Sequence, residues 1–219
     1  TSLGACSLYS NTVGDNNVGV GYHSLLQATT AVQNIGVGQG TLYSNIHGDA
    51  NVAIGMQALY SNKCSYNVAI GDLALNAQTT GYYNTAVGPL ASRCMTTGTV
   101  NTSVGMYALH KNTTASRNTA VGYAALICNQ TGGDNTAVGQ SALYKNTADL
   151  STAVGGCALI CNTTGGCNTA MGYHAMFKNC DGTKNVGIGA QAMCAGSSGD
   201  YNTAVGYQAN RLLTTGSSN

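Results

Sequence analysis

GGCALICNTTGGCNTAM, residues 155–171, is one full period of a pattern that returns from end to end of this 219-residue chain. Its opening glycine recurs at Gly4, Gly21, Gly38, Gly55, Gly71, Gly88, Gly105, Gly122, Gly139, Gly155, Gly172, Gly189 and Gly206, in steps of 17 residues except for two of 16 that end at Gly71 and Gly155. Counted from that glycine as position 1, the common form of the 17 positions is G-x-x-A-L-x-x-N-T-T-G-x-x-N-T-A-V. So many copies of so short a unit define a solenoid. The unit is too short for two packed helices, whose repeats run to about 30 residues or more, and two turn signals divide it into two short extended runs. The expected fold is all-β: a parallel β-solenoid, or β-roll, of thirteen 17-residue coils forming a single repeat domain over residues 1–219.

Positions 15 to 17 alternate as a strand does, with successive side chains on opposite faces. Position 17 is Val, Ile or Met, as in Val20, Val37, Ile54, Ile70, Val138 and Met171. Position 15, on the same face, is Val or Ile in Val18, Ile35, Val52, Val68 and Val186, and Thr in Thr85, Thr102, Thr119, Thr136, Thr152, Thr169 and Thr203. Both rows are expected in the core, with the Thr hydroxyls bonded to a carbonyl or to the Thr of the next coil. The second run adds the Leu of position 5, such as Leu25, Leu59 and Leu126.

Between those two rows, position 16 is always Gly, Ala or Ser: Gly19, Gly36, Ala53, Ala69, Ala86, Ser103, Ala120, Ala137, Ala153, Ala170, Gly187 and Ala204. Position 4 behaves alike, with Ser7, Ser24 and Thr41 followed by Ala from Ala58 to Ala209. A strand face open to water collects Lys, Glu, Gln and Thr, so uniform smallness means close packing. Either these positions line a tight turn or a flat coil interior, or they contact other chains; we take the second as the expectation. Asn at positions 8 and 14 and Gly at position 11 mark the turns, where Asn tolerates left-handed backbone angles and can bond from coil to coil. Both 16-residue units have lost their residue in this turn region.

The element N-x-A-[VI]-G followed by x-x-A or x-x-S resembles the head repeats of YadA-type trimeric autotransporter adhesins. The fuller N-T-A-V-G-Y-x-A-L form resembles repeats of tail-fibre-like proteins of phages and other viruses. The resemblance runs through the whole chain, although these coils carry an extra N-T-T-G turn that the shorter adhesin repeat lacks. It implies a left-handed roll in a homotrimer, with the small row at the axis: Ala53, Ala69, Ala86, Ser103, Ala120, Ala137, Ala153, Ala170 and Ala204 would then form an inter-chain row.

Composition bounds the rest. Charged residues are 7% of the chain and its net charge is +1, so nucleic acid is not an expected partner. No apolar run approaches the roughly 18 residues of a membrane span, and no signal peptide opens the chain, so membrane insertion is not expected. The chain starts and stops within its own pattern, and we expect it to be a piece of a longer fibre. Its nine cysteines are scattered without CxxC or zinc-ligand spacing, so no metal or other cofactor is expected. Cys94, Cys128 and Cys161 share position 7 but lie two coils apart, too far for disulfides, and most cysteines are expected to fill the core or turns. His23, His47, His110 and His174 are scattered over four different coils and the seven Asp are dispersed, so no catalytic grouping forms and no enzyme is expected.

Three function classes remain. The first, which we adopt, is the structural shaft of an extracellular attachment fibre on a cell or virion surface, non-catalytic, with itself as partner in a homotrimer. The second is direct binding of a cell-surface glycan or receptor through outward residues such as Tyr9, Tyr43, Tyr60, Tyr144, Arg93 and Lys111. The third is ice binding through the partial row of Thr12, Thr29, Thr79, Thr96, Thr113, Thr147, Thr163 and Thr214 at position 9, although no strand carries T-x-T.

Overall fold

The computed structural model describes residues 1–196 and 198–218. Over the described residues the fold is an all-β parallel β-solenoid with thirteen strands. Among the described residues no helix is long and apolar enough to cross a membrane. The chain divides into two compact units, Thr1–Thr114 and Ala115–Asn219. Each coil of a solenoid packs on its immediate neighbours, so compactness is a local property.

Unit 1 carries β1 (Ser2–Leu3), β2 (Val18–Val20), β3 (Ile35–Val37), β4 (Val52–Ile54), β5 (Val68–Ile70), β6 (Thr85–Val87) and β7 (Thr102–Val104). Unit 2 carries β8 (Thr119–Val121), β9 (Thr136–Val138), β10 (Thr152–Val154), β11 (Thr169–Met171), β12 (Val186–Ile188) and β13 (Thr203–Val205). Within each unit, successive strands pair in parallel and in register, Val18 with Ile35 and Ile35 with Val52 in the first, Thr119 with Thr136 and Thr136 with Thr152 in the second. The short coils keep that register, Val52 opposite Val68 and Thr136 opposite Thr152. Their missing residue is position 10: Asn45 Nδ2 donates to the carbonyl of Gly48 three residues on, whereas Asn62 reaches Cys64 and Asn146 reaches Ala148 only two residues on.

The second extended run is not a strand. Positions 1 to 8 form consecutive turns in which the glycine of position 1 and the residues of positions 3 and 5 all have positive φ, for example Gly21 at 130°, His23 at 58° and Leu25 at 53°. A left-handed residue costs roughly 1–2 kcal/mol relative to the right-handed region. The coil sustains it because these turns also bond from coil to coil: Leu25 N donates to Thr41 O at 2.8 Å and Gln27 N to Tyr43 O at 3.1 Å. At Gly55 (φ 122°) a Cβ would lie 2.6 Å from the carbonyl carbon of Gly71, so the periodic glycine is required by coil-on-coil approach as well as by its φ.

The interior is thin. Leu25, Leu42, Leu59, Leu75, Leu109, Leu126, Leu143 and Leu159 are fully buried, packed with the alanines of positions 4 and 16. Position 16 is sized to its neighbours: a Cβ on Gly36 would sit 2.6 Å from Ser24 Oγ and 2.8 Å from Thr41 Oγ1. Ser92, which replaces the Leu of position 5, instead donates to Ser103 Oγ at 2.8 Å.

Two amides complete most coils. The Asn of position 14 is buried and its Oδ1 accepts the main-chain N–H of the next coil's Asn, as from Asn34 to Asn17, Asn51 to Asn34 and Asn84 to Asn67 in unit 1, and Asn185 to Asn168 in unit 2. Its Nδ2 donates across to a turn carbonyl of the next coil, as from Asn34 to Gly48 at 2.9 Å. The buried Asn of position 8 donates to the carbonyl of position 11, closing the turn, as from Asn162 to Gly165 at 2.8 Å. These bonds satisfy amides that the thin interior shields from water.

Candidate functional site

The strand alternation holds, but its two faces are exchanged relative to the sequence reading. Ala53, Ala69, Ala86, Ser103, Ala120, Ala137, Ala153 and Ala170 are 0% exposed and Ala204 is 4% exposed, all inside their own coils. No second chain can reach them, so the axial row is corrected to an interior row. The rows expected in the core turn outward: Ile35, Ile54 and Ile70 are 38–39% exposed, Met171 42% and Val205 67%. Space decides the matter, because Leu, the alanines and the asparagines already fill a coil too thin for Val or Ile as well.

The result in each unit is an outward strand face built of Val, Ile, Thr and Met, with Leu3 on the first rung. In unit 1 the rungs run Val18 and Val20, Ile35 and Val37, Val52 and Ile54, Val68 and Ile70, then Thr85 and Val87 and Thr102 and Val104. In unit 2 four consecutive rungs pair Thr with Val or Met, from Thr119 and Val121 to Thr169 and Met171. Position 15 and position 17 of every rung are uncharged. Charge enters at the margins, where Arg117 and Asp134 at position 13 form a bidentate pair, Nε to Oδ1 at 2.6 Å and Nη2 to Oδ2 at 2.8 Å. That pair raises the Arg117 pKa and lowers that of Asp134, in each case first through the hydrogen bond.

The other candidates fall elsewhere. Tyr43 and Tyr60 stack at 4.8 Å between centroids, and Tyr9 is 76% exposed. Tyr144, Arg93 and Lys111 lie with them on positions 6 and 7, away from the strand face. The Thr row of position 9 commits its hydroxyls to the backbone of the next coil, Thr12 to Thr29 O at 3.1 Å, Thr96 to Thr113 O at 3.0 Å and Thr163 to Cys180 O at 2.9 Å. His23 and His174 stack on Tyr22 and Tyr173, His47 Nδ1 meets Thr30 Oγ1 at 2.7 Å, and His110 Nδ1 meets Leu90 O at 3.0 Å. The cysteines are all free and none is buried, which removes the core from the two places, core or turns, expected for them. Among the described residues no group of three His, Cys, Asp or Glu is arranged to hold a metal.

Sequence reasoning missed the cluster of Tyr66, Tyr82 and Tyr83. Its signal was the lost residue of the coil Met56–Gly71, which opens a notch where those rings gather. In comparisons with protein-family models, curated proteins and solved structures, nothing matches the chain.

Proposed function

We propose that this chain is a non-catalytic structural shaft segment that assembles with copies of itself, as a homotrimer, through its outward strand face. The observation that carries the reading is the uncharged Val/Ile/Thr face that repeats rung after rung in each unit. Contiguous exposed apolar surface of this kind marks an interaction site. A partner meeting it at every rung must be equally uncharged and must repeat every ~4.8 Å, the spacing of adjacent strands. A second copy of the same solenoid has both properties. The charged margin at Arg117 and Asp134 matches the polar rim of such an interface. The resemblance to adhesin head and viral fibre repeats supports a trimer in an extracellular, cell-surface or virion setting, although it would put at the axis the small row that is interior here. Absolute mass by light scattering tests it: three times 22.2 kDa is the expected result.

The ladder of Thr119, Thr136, Thr152 and Thr169 favours a second reading, ice binding. Here Thr at position 15 stands beside Val or Met at position 17, with spacings of about 4.8 by 6.7 Å. A monomer that shapes growing ice crystals would replace the shaft reading.

A further inference from the structure

The shortened coil Met56–Gly71 leaves a notch of about 360 Å³ in unit 1. Its walls include His47, Lys63, Ser65, Tyr66, Tyr82 and Tyr83. Tyr66 and Tyr83 stack at 5.2 Å, and Tyr82 stands edge-on to Tyr83 at 5.3 Å with 79° between the rings, so the rings make a corner of two orientations. All three tyrosines are about half exposed, at 54%, 47% and 55%. Exposed ring faces in a concave site are unusual for side chains that gain by burial.

We propose that this notch binds an acidic saccharide, with a pyranose ring lying against the tyrosines and its carboxylate directed to Lys63. A sugar ring is amphipathic in the way the notch is: its C–H face suits a phenol ring and its hydroxyls suit polar groups at the rim. Ser65 Oγ accepts the Asp49 N–H at 2.9 Å and keeps its own proton to donate. Lys63 supplies the one formal positive charge of the lining, and no carboxylate lines the notch among the described residues. The nearby Asp49 carboxylate accepts from Val32 N at 2.8 Å. The closed Tyr66–Tyr83 stack leaves no slot between those rings for a nucleobase.

The molecule contains its own control. The other short coil, Gln140–Gly155, has lost the same residue, yet Leu150, Gly166, Cys167 and Thr147 stand where Tyr66, Tyr82, Tyr83 and Lys63 stand in the first. The shortened turn therefore does not require aromatic or cationic residues. The inference is independent of assembly through the strand face.

The test is a calorimetric and NMR titration of the full chain with trigalacturonate and sialyllactose, each beside its neutral counterpart, galactotriose and lactose. The variants borrow from the second short coil: Tyr66→Leu with Tyr82→Gly, and Lys63→Thr. Wild type is expected to bind an acidic sugar with a Kd below about 10 mM and at least about tenfold more tightly than its neutral counterpart. The double variant should lose about tenfold or more in affinity, and Lys63→Thr should remove the preference for acid while keeping the light-scattering mass. Failure of both acidic sugars to bind, equal binding of acidic and neutral sugars by wild type, or unchanged binding by the double variant would each overturn the proposal.

Discussion

Asn34 Oδ1 accepts two hydrogen bonds from Asn51, one from its main-chain N–H and one from its Nδ2, both at 3.0 Å and both buried. Asn51 then repeats the gesture toward Asn67, whose N–H it accepts at 2.9 Å, while its Nδ2 also reaches Cys64 O at 2.8 Å. Asn51→Ala strands the buried Asn67 N–H, whereas the Cys64 carbonyl keeps the bond from Asn62 Nδ2 at 2.6 Å. One orphaned group costs about 1–3 kcal/mol, so the variant should lose about 2 kcal/mol in urea unfolding. A loss under about 0.5 kcal/mol would show that the ladder contributes little.

The ladder has one imperfect rung. Ser151 occupies the Asn position, and the bond it accepts from Asn168 N is 3.4 Å long. Asn fits in a coil of the same shortened length, as Asn67 shows. Ser151→Asn should therefore stabilise the protein by about 1 kcal/mol, read as a raised denaturation midpoint with unchanged slope.

Neighbouring residues on one strand separate folding from assembly. Ala137→Glu places a carboxylate inside the coil and should abolish cooperative unfolding, since an unpaired buried charge is not tolerated. Val138→Glu points outward from a site that is 37% exposed and should leave circular dichroism and melting intact while reducing the light-scattering mass to 22.2 kDa. A Val138→Glu protein that keeps the wild-type oligomeric mass would remove the strand face as the interface.

The Arg117–Asp134 pair gives a pH signature. Because the folded pKa of Asp134 is lowered, the pair's stabilising contribution is present above the unfolded carboxylate pKa and is lost as pH falls through the folded value. Carboxyl NMR titration should show Asp134 moving upward toward the ordinary value in Arg117→Ala. Both side chains are exposed, so the accompanying change in stability should be small.

Much of this architecture was readable from the residues. The glycine period fixed the coil, and the shortened units pointed to the turn that absorbs their loss. What the strand pattern could not settle was its polarity, because alternation is symmetric about the sheet and one step of error exchanges the faces. The deciding signal was size: Ala53 and Ala137 are small because the interior is narrow, while Ile35 and Ile54 are large because they leave it. Leu25 and Leu126 misled for a different reason, since nothing about leucine announces a left-handed φ, and the expected second strand became a chain of turns. The tyrosine notch was hidden because Tyr66 and Tyr83 are adjacent only through coil stacking.

The turn at position 10 separates chain length from strand register. Val52 and Val68 pair as any other rungs do although the chain between them is one residue short. That corner is consequently a natural port for insertion. A guest peptide grafted between Lys63 and Cys64 would be displayed on the solenoid at a site where the host has already accommodated a change of length, with the paired strands beneath it undisturbed.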